Sequence, residues 1–187
     1  MRKKLKEMSL KELWELFPIY LVQHQKHWLS WYEEEKHFLT TKILKGYSFK
    51  INHIGSTAIK NIWAKPIIDI LVETSLENFE SIKTKLIDNG YICMSESETR
   101  LIFNKGYTNK GFQDKVFHLH LHETNDNDEV YFRDFLQLNP DIASDYEKLK
   151  LSLWKQFEHD RDAYTNAKHD FVKKYTDIAK HFFDKRE

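Results

Sequence analysis

His53-Ile54-Gly55-Ser56-Thr57-Ala58-Ile59, followed by Lys65-Pro66-Ile67-Ile68-Asp69-Ile70-Leu71-Val72, decides how this chain is read. A strand ending at Ile54 meets a glycine, which allows a tight turn and close backbone approach. Ser56 and Thr57 then offer hydroxyls and backbone N–H groups where a short helix can begin, and converging N–H groups hold phosphate oxygens. The next segment, residues 66–73, is nearly continuous in apolar residues, the mark of a central strand covered on both faces. Asp69 interrupts that run. A buried carboxylate is costly unless it is paired or bound to a metal, so Asp69 is expected either to hold a divalent ion bridging phosphates or to pair with Lys65. Gly55 and Ser56 also have plainer readings, as a turn former and a helix cap.

Working outward, residues 47–54 form the strand that leads into the turn. Towards the N-terminus, Ser9 and Glu12 read as a capping box opening a short helix that Pro18 interrupts. Leu21, His24, Trp28, Trp31, Glu35 and Phe38 follow at helical spacing, so a longer helix with one aromatic face is expected up to Gly46. Beyond the central strand, residues 76–89 read as a helix stopped by Asn89-Gly90. Residues 91–94, 100–104 and 115–123 read as strands, and 128–138, 142–157 and 166–183 as helices, with Pro140 suited to a first helical turn. A helical arm, a sheet-rich centre and a helical last third make an α+β fold. One domain over residues 1–187 is expected, since no linker or repeat divides the chain.

Composition narrows the function. Lys+Arg and Asp+Glu are equal at 29 each, without the basic excess of a dedicated nucleic-acid binder. Cys93 is alone, so neither a disulfide framework nor a multi-cysteine zinc site is available. There is no signal-like segment and no apolar run of membrane-spanning length, so a soluble cytoplasmic protein without a membrane partner is expected. No P-loop, Rossmann glycine fingerprint or nucleophile elbow appears.

The run Phe117-His118-Leu119-His120-Leu121-His122 alternates strictly, so a strand here puts three imidazoles on one face. If it lies beside the strand of Asp69, then His118 and His120 can join Asp69 around one ion, a donor set better suited to zinc, manganese or iron than to magnesium. Alternatively one histidine serves as general base. The plain reading is a solvent-facing strand in which His is the polar partner.

The block from His53 to Val72 resembles the signature of the GrpB family, whose members read HIGSTAVPGLxAKPxIDILV. The likeness continues through Gly90-Tyr91, Arg100 near Phe103, His118 and His120, Phe132-Arg133-Asp134, Asn139-Pro140, Tyr146 with Leu149-Lys150, and Tyr164 with Lys168. Lys60-Asn61-Ile62 departs from the family's Pro-Gly-Leu and alters that loop. The resemblance implies a nucleotidyltransferase-like (polymerase-β-like) mixed sheet flanked by helices, in which a Gly-Ser turn precedes a strand carrying Asp-x-Asp or Asp-x-Glu. It therefore implies transfer of a nucleotidyl group from a nucleoside triphosphate, with a divalent Mg, Mn or Zn ion as cofactor and a nucleotide or coenzyme-like small molecule as partner. Asp69, His118 and His120 become the candidate catalytic residues and metal ligands. Gly55, Ser56, Thr57, Lys65, Arg100, Arg133 and Lys168 become the candidate phosphate contacts, with Lys150 a further cation. His122 lies outside the family pattern and is expected at the surface, and Tyr164 is expected to pack.

One position departs from the superfamily pattern in a way that bears on chemistry. Leu71 stands where the second carboxylate is expected, and Glu73, on the same face, lies about 13 Å from Asp69 at strand rise. A two-metal site is therefore not supported. Two alternatives stay open: a nucleotide- or coenzyme-binding regulatory domain that has lost catalysis, and a metal-dependent phosphoester hydrolase.

Overall fold

The computed structural model describes residues 3–185. Residues 1–2 and 186–187, which the expected domain includes, lie outside the described residues. Five strands form one mixed sheet: β1 (Phe49–Ile54), β2 (Ile68–Thr74), β3 (Ile92–Glu96), β4 (Arg100–Thr108) and β5 (Gly111–Glu123), in the order β1-β2-β5-β4-β3. Only β2 and β5 run parallel; the other three pairings are antiparallel. Among the described residues seven α-helices accompany the sheet: α1 (Leu10–Leu16), α2 (His27–Phe38), α3 (Phe79–Asp88), α4 (Asp128–Leu138), α5 (Pro140–Gln156), α6 (Arg161–Asn166) and α7 (His169–Asp184). This is the expected α+β architecture.

The β2–β5 register sets what each face of the sheet carries. Ile68, Ile70 and Val72 stand opposite Phe117, Leu119 and Leu121, while Asp69, Leu71 and Glu73 stand opposite His118, His120 and His122. The first set joins Trp28 and Tyr32 of α2 and Phe79, Ile82 and Leu86 of α3 in the main core. The second set faces the helical C-terminal third. There α4, α5 and α7 pack together through Phe132, Phe135, Leu136, Tyr146 and Ala179, and they bury Ile59 and Ile62 from the segment after the glycine turn. Among the described residues no helix is long and apolar enough to cross a membrane.

Several boundaries differ from the sequence reading. The helical stripe from Leu21 was overextended: α2 begins at His27, and Val22 instead exchanges both backbone hydrogen bonds with Ala64 at 2.9 Å. That pairing is non-local, so the local 3–4 spacing could not reveal it. α2 then widens into a π-helical turn, Leu39–Ile43, which buries Leu39 and Ile43. The expected last helix over 166–183 is α7, which begins at His169; before it lies the unexpected short helix α6, capped by the Asp160 side chain, and the chain turns at Ala167 between the two. β4 and β5 are longer than expected and form a hairpin, with a register shift between Lys105 and Tyr107. Gly106 sits in that irregularity at φ +91°, where a Cβ would lie 2.4 Å from the Lys115 carbonyl.

Candidate functional site

The glycine turn rests directly on the aspartate. Gly55 has φ +69°, and a Cβ there would lie 2.2 Å from Asp69 Oδ2 and 2.9 Å from its Cγ. Only glycine lets the backbone come this close. Ile54 stands opposite Asp69 in the β1–β2 ladder, so the turn leaves the sheet beside the carboxylate. A single 3-10 turn, Ser56–Ala58, follows. Ser56 and Tyr146 line the same cleft. Thr57 points inward: its hydroxyl donates to the Ile67 carbonyl at 3.2 Å and lies 3.0 Å from His53 Nε2. Because the Thr57 hydrogen is engaged, His53 Nε2 donates the second bond. The His53 ring also stacks on Tyr32. Thr57 thus ties the turn to the strand that follows.

Asp69 is flanked as the alternation suggests. His118 Nδ1 lies 3.3 Å from Asp69 Oδ1, and His120 Nε2 lies 3.9 Å from it, the first within hydrogen-bond reach and the second beyond it. Burial pushes the Asp69 carboxyl up, but the two histidines more than offset this and hold it well below the usual carboxylate range. His118 is bound on its other side as well. Its Nε2 lies 2.7 Å from the Tyr107 hydroxyl, and that oxygen accepts from Arg161 Nη2 at 3.2 Å. The Tyr107 hydroxyl thus bridges Arg161 and His118 Nε2, leaving His118 Nδ1 facing Asp69. Burial, aided by Lys65 and Arg161, lowers the His118 pKa despite Asp69. Tyr107 and Asp69 thus flank the two ring nitrogens of His118.

This bears on the implied divalent ion. Leu71 is fully buried between Asp69 and Glu73. Glu73 accepts from the Asn125 backbone and from Asn127 Nδ2, bracing the loop before α4. Among the described residues no three His, Cys, Asp or Glu side chains are spaced to hold a metal ion. The donors present thus do not form a closed metal cage around Asp69, and His118 offers no free nitrogen to one.

The cations divide into two groups. Arg100 and Arg133 serve the scaffold: Arg100 makes a bidentate pair with Asp126 at 2.5 and 2.6 Å, and Arg133 binds the His53 carbonyl at 2.6 Å and Asp134 at 2.7 Å. Lys65, Lys150, Lys168 and Arg161 converge from the segment before β2, from α5, from the start of α7 and from α6. Lys65 and Lys168 lie over the ring of Tyr164 at 5.5 and 4.5 Å, and Lys150 lies over Tyr146 at 4.9 Å. Lys150 also donates to the Trp63 carbonyl. Among the described residues none of the four reaches a carboxylate at ion-pair distance, and the contacts of Asp69 at that distance are to the two histidines. Burial, with Lys168 and Arg161 beside it, pushes Lys65 down to about 7. Burial and the neighbouring cations take Lys150 to about 7, and burial takes Lys168 to about 8, with Asp69 opposing.

A cleft of about 570 Å³ opens between the polar face of the sheet and the helical layer, lined by Gly55, Ser56, Asp69 and His120 on one side and Phe132 and Tyr146 on the other. Arg100 is at its edge. His122, expected at the surface, is 1% exposed. Its Nδ1 binds the Asp126 carbonyl at 2.9 Å, because the loop before α4 folds over that end of β5. The sequence reading missed Tyr107 and Arg161. The only local sign of Tyr107 was the neighbouring Gly106, and Arg161 left none.

Comparison with known proteins bears on the family and the fold. The family model described as GrpB protein matches residues 18–177. This chain belongs to the GrpB family. It is 38% identical over 162 residues to the glutamate-rich protein GrpB of Alkalihalophilus pseudofirmus, covering 82% of this chain and 91% of that one. It is 31% identical to YqkA of Bacillus subtilis, covering 91% of this chain and 51% of that longer one. The crystal structure of the conserved protein GrpB from Enterococcus faecalis superposes with a TM-score of 0.75 at 31% identity, over 88% of this chain and 99% of that one. The Cid1 poly(U) polymerase with MgGTP bound superposes with a TM-score of 0.52 at 10% identity, over 79% of this chain and 46% of that one. At that identity the likeness concerns the fold: a nucleotidyltransferase-like fold.

Proposed function

We propose that this protein binds the triphosphate of a nucleotide across the Gly55–Ser56 turn and Asp69, and transfers its nucleotidyl group to a small-molecule or protein acceptor. The observation that carries the reading is the seating of Gly55 on Asp69, a contact that any side chain would destroy. A turn that lines the cleft beside a carboxylate suits in-line phosphoryl chemistry, where positioning and charge stabilisation supply most of the rate. In such a step the acceptor oxygen or nitrogen bonds to the α-phosphorus as the bond to the bridging oxygen breaks, and pyrophosphate leaves. His120, at the cleft beside Asp69, is placed to take the acceptor's proton.

The second reading is a nucleotide- or coenzyme-binding domain without turnover, and Leu71 favours it, because it puts a buried alkyl group where the second carboxylate of a two-metal site would stand. A thermal-shift panel of nucleoside triphosphates and coenzyme A precursors, with Mg²⁺, Mn²⁺, Zn²⁺ or chelator, tests binding. A ligand at about 100 times its Kd adds about 2.7 kcal/mol. Assay of pyrophosphate release then separates the two readings. A shift lost in Asp69→Asn, with pyrophosphate formed, supports transfer; a shift without pyrophosphate supports the binding domain. No shift with any of these ligands overturns both.

A further inference from the structure

We propose that the polyphosphate of the ligand is held by the protein's own cations, Lys65, Lys168 and Arg161 with Lys150 behind them, and that this binding needs no divalent ion. The inference rests on the reading above that the site takes a triphosphate. Its grounds are two departures from a metal-centred site that fit together. On the carboxylate side, Leu71 replaces the second acid, Glu73 is committed to Asn125 and Asn127, and His118 is closed off by Asp69 and Tyr107. On the cation side, four positive groups from four separate segments gather near a single aspartate, without a carboxylate in ion-pair contact.

Charges taken out of water without partners destabilise a fold; Lys150 is buried, and Lys65, Arg161 and Lys168 are half-buried. Negative charge near these four groups comes from Asp69 and, for Lys150, from Glu147, neither at ion-pair distance; their contacts are the rings of Tyr107, Tyr146 and Tyr164 and the Trp63 carbonyl. Cation–π contact offsets part of the cost, and an anion in the site offsets the rest. A triphosphate carries about four negative charges and presents many acceptor oxygens, which matches three lysines and an arginine better than a single phosphate does. Arg161 also links the two halves of the site, since the same guanidinium that would meet phosphate holds Tyr107 against His118.

The test is calorimetry of the full-length protein with inorganic triphosphate, pyrophosphate and phosphate in chelator, repeated with Mg²⁺ or Mn²⁺ and with a nucleoside triphosphate. The expected result is binding of inorganic triphosphate in chelator, tightening from phosphate to triphosphate and weakened at least tenfold in Lys168→Gln. Lys168→Arg, which keeps the charge, should restore most of it. Melting curves of both variants establish that they fold, and Arg161→Gln gives a second route if either does not. Binding of triphosphates only when a divalent ion is present overturns the inference and leaves the proposed function standing. Failure of nucleoside and inorganic triphosphates alike, with or without metal, overturns both. Binding unaffected by Lys168→Gln and Arg161→Gln places the anion elsewhere and overturns the inference.

Discussion

Two clusters of cations, each at least half-buried, lie on opposite faces of the same sheet and are built on opposite principles. Under α2, Lys105 reaches Glu35 at 2.6 Å, Tyr91 donates to the same carboxylate at 2.7 Å, and the rings of Phe38, Tyr91 and Phe117 surround the ammonium. Under α5–α7, Lys65, Lys150 and Lys168 have comparable aromatic surroundings without a paired carboxylate. The Lys105 cluster is complete in itself and serves stability. On the inference above, the other is completed by an anion supplied from outside.

The two clusters should therefore respond oppositely to the same substitution. Lys105→Met leaves Glu35 buried without its counter-ion and is expected to lower stability by about 3 kcal/mol in denaturant unfolding. Gly55→Ala forces a left-handed conformation on a residue whose Cβ meets Asp69. It is expected to lose about 2 kcal/mol and all triphosphate binding. Lys168→Met removes an unpaired charge and is expected to raise the stability of the ligand-free protein by about 1 kcal/mol while abolishing most anion affinity. Equal losses in the Lys105 and Lys168 variants would break the comparison.

A smaller effect sharpens it. Each site lysine has a folded pKa below its unfolded value of 10.5, about 7 for Lys65 and Lys150 and about 8 for Lys168. Between those values the unfolded chain binds more protons than the folded one, so stability rises with pH. The melting temperature of the ligand-free protein is expected to climb by several degrees from pH 7 towards pH 10. Saturating triphosphate should flatten that slope by keeping the lysines charged. A slope unchanged in a variant lacking all three lysines would assign it to other groups.

The parts of the site legible in sequence are those that depend on near neighbours along the chain. Gly55 and Asp69 belong to one strand-turn-strand unit, and the Phe117–His122 alternation assigns His118 and His120 to one face whatever lies beside it. The absence of a second carboxylate at Leu71 was readable for the same reason. The cation cluster was not readable as a cluster. A lysine on a helix ordinarily faces water, and only the tertiary fold brings Lys150 and Arg161 to Lys65. Arg100 and Arg133 stood in the same family-matched pattern as Lys168, yet their carboxylate and carbonyl partners come from β1, α4 and the loop before it. Tyr107 depended on the irregularity at Gly106, and the extended course of residues 20–26 on a bridge to Ala64.

The most direct test of the central claim is the proton balance of triphosphate binding. Calorimetry at pH 8.5 in chelator, in two buffers of different ionisation enthalpy, gives the number of protons exchanged. With a nucleoside triphosphate, which is essentially fully ionised at that pH, and lysines held near 7 to 8 largely neutral, binding is expected to take up about one proton or more. Binding with no proton uptake would mean that the lysines are charged without the ligand or do not meet it, and would contradict the account.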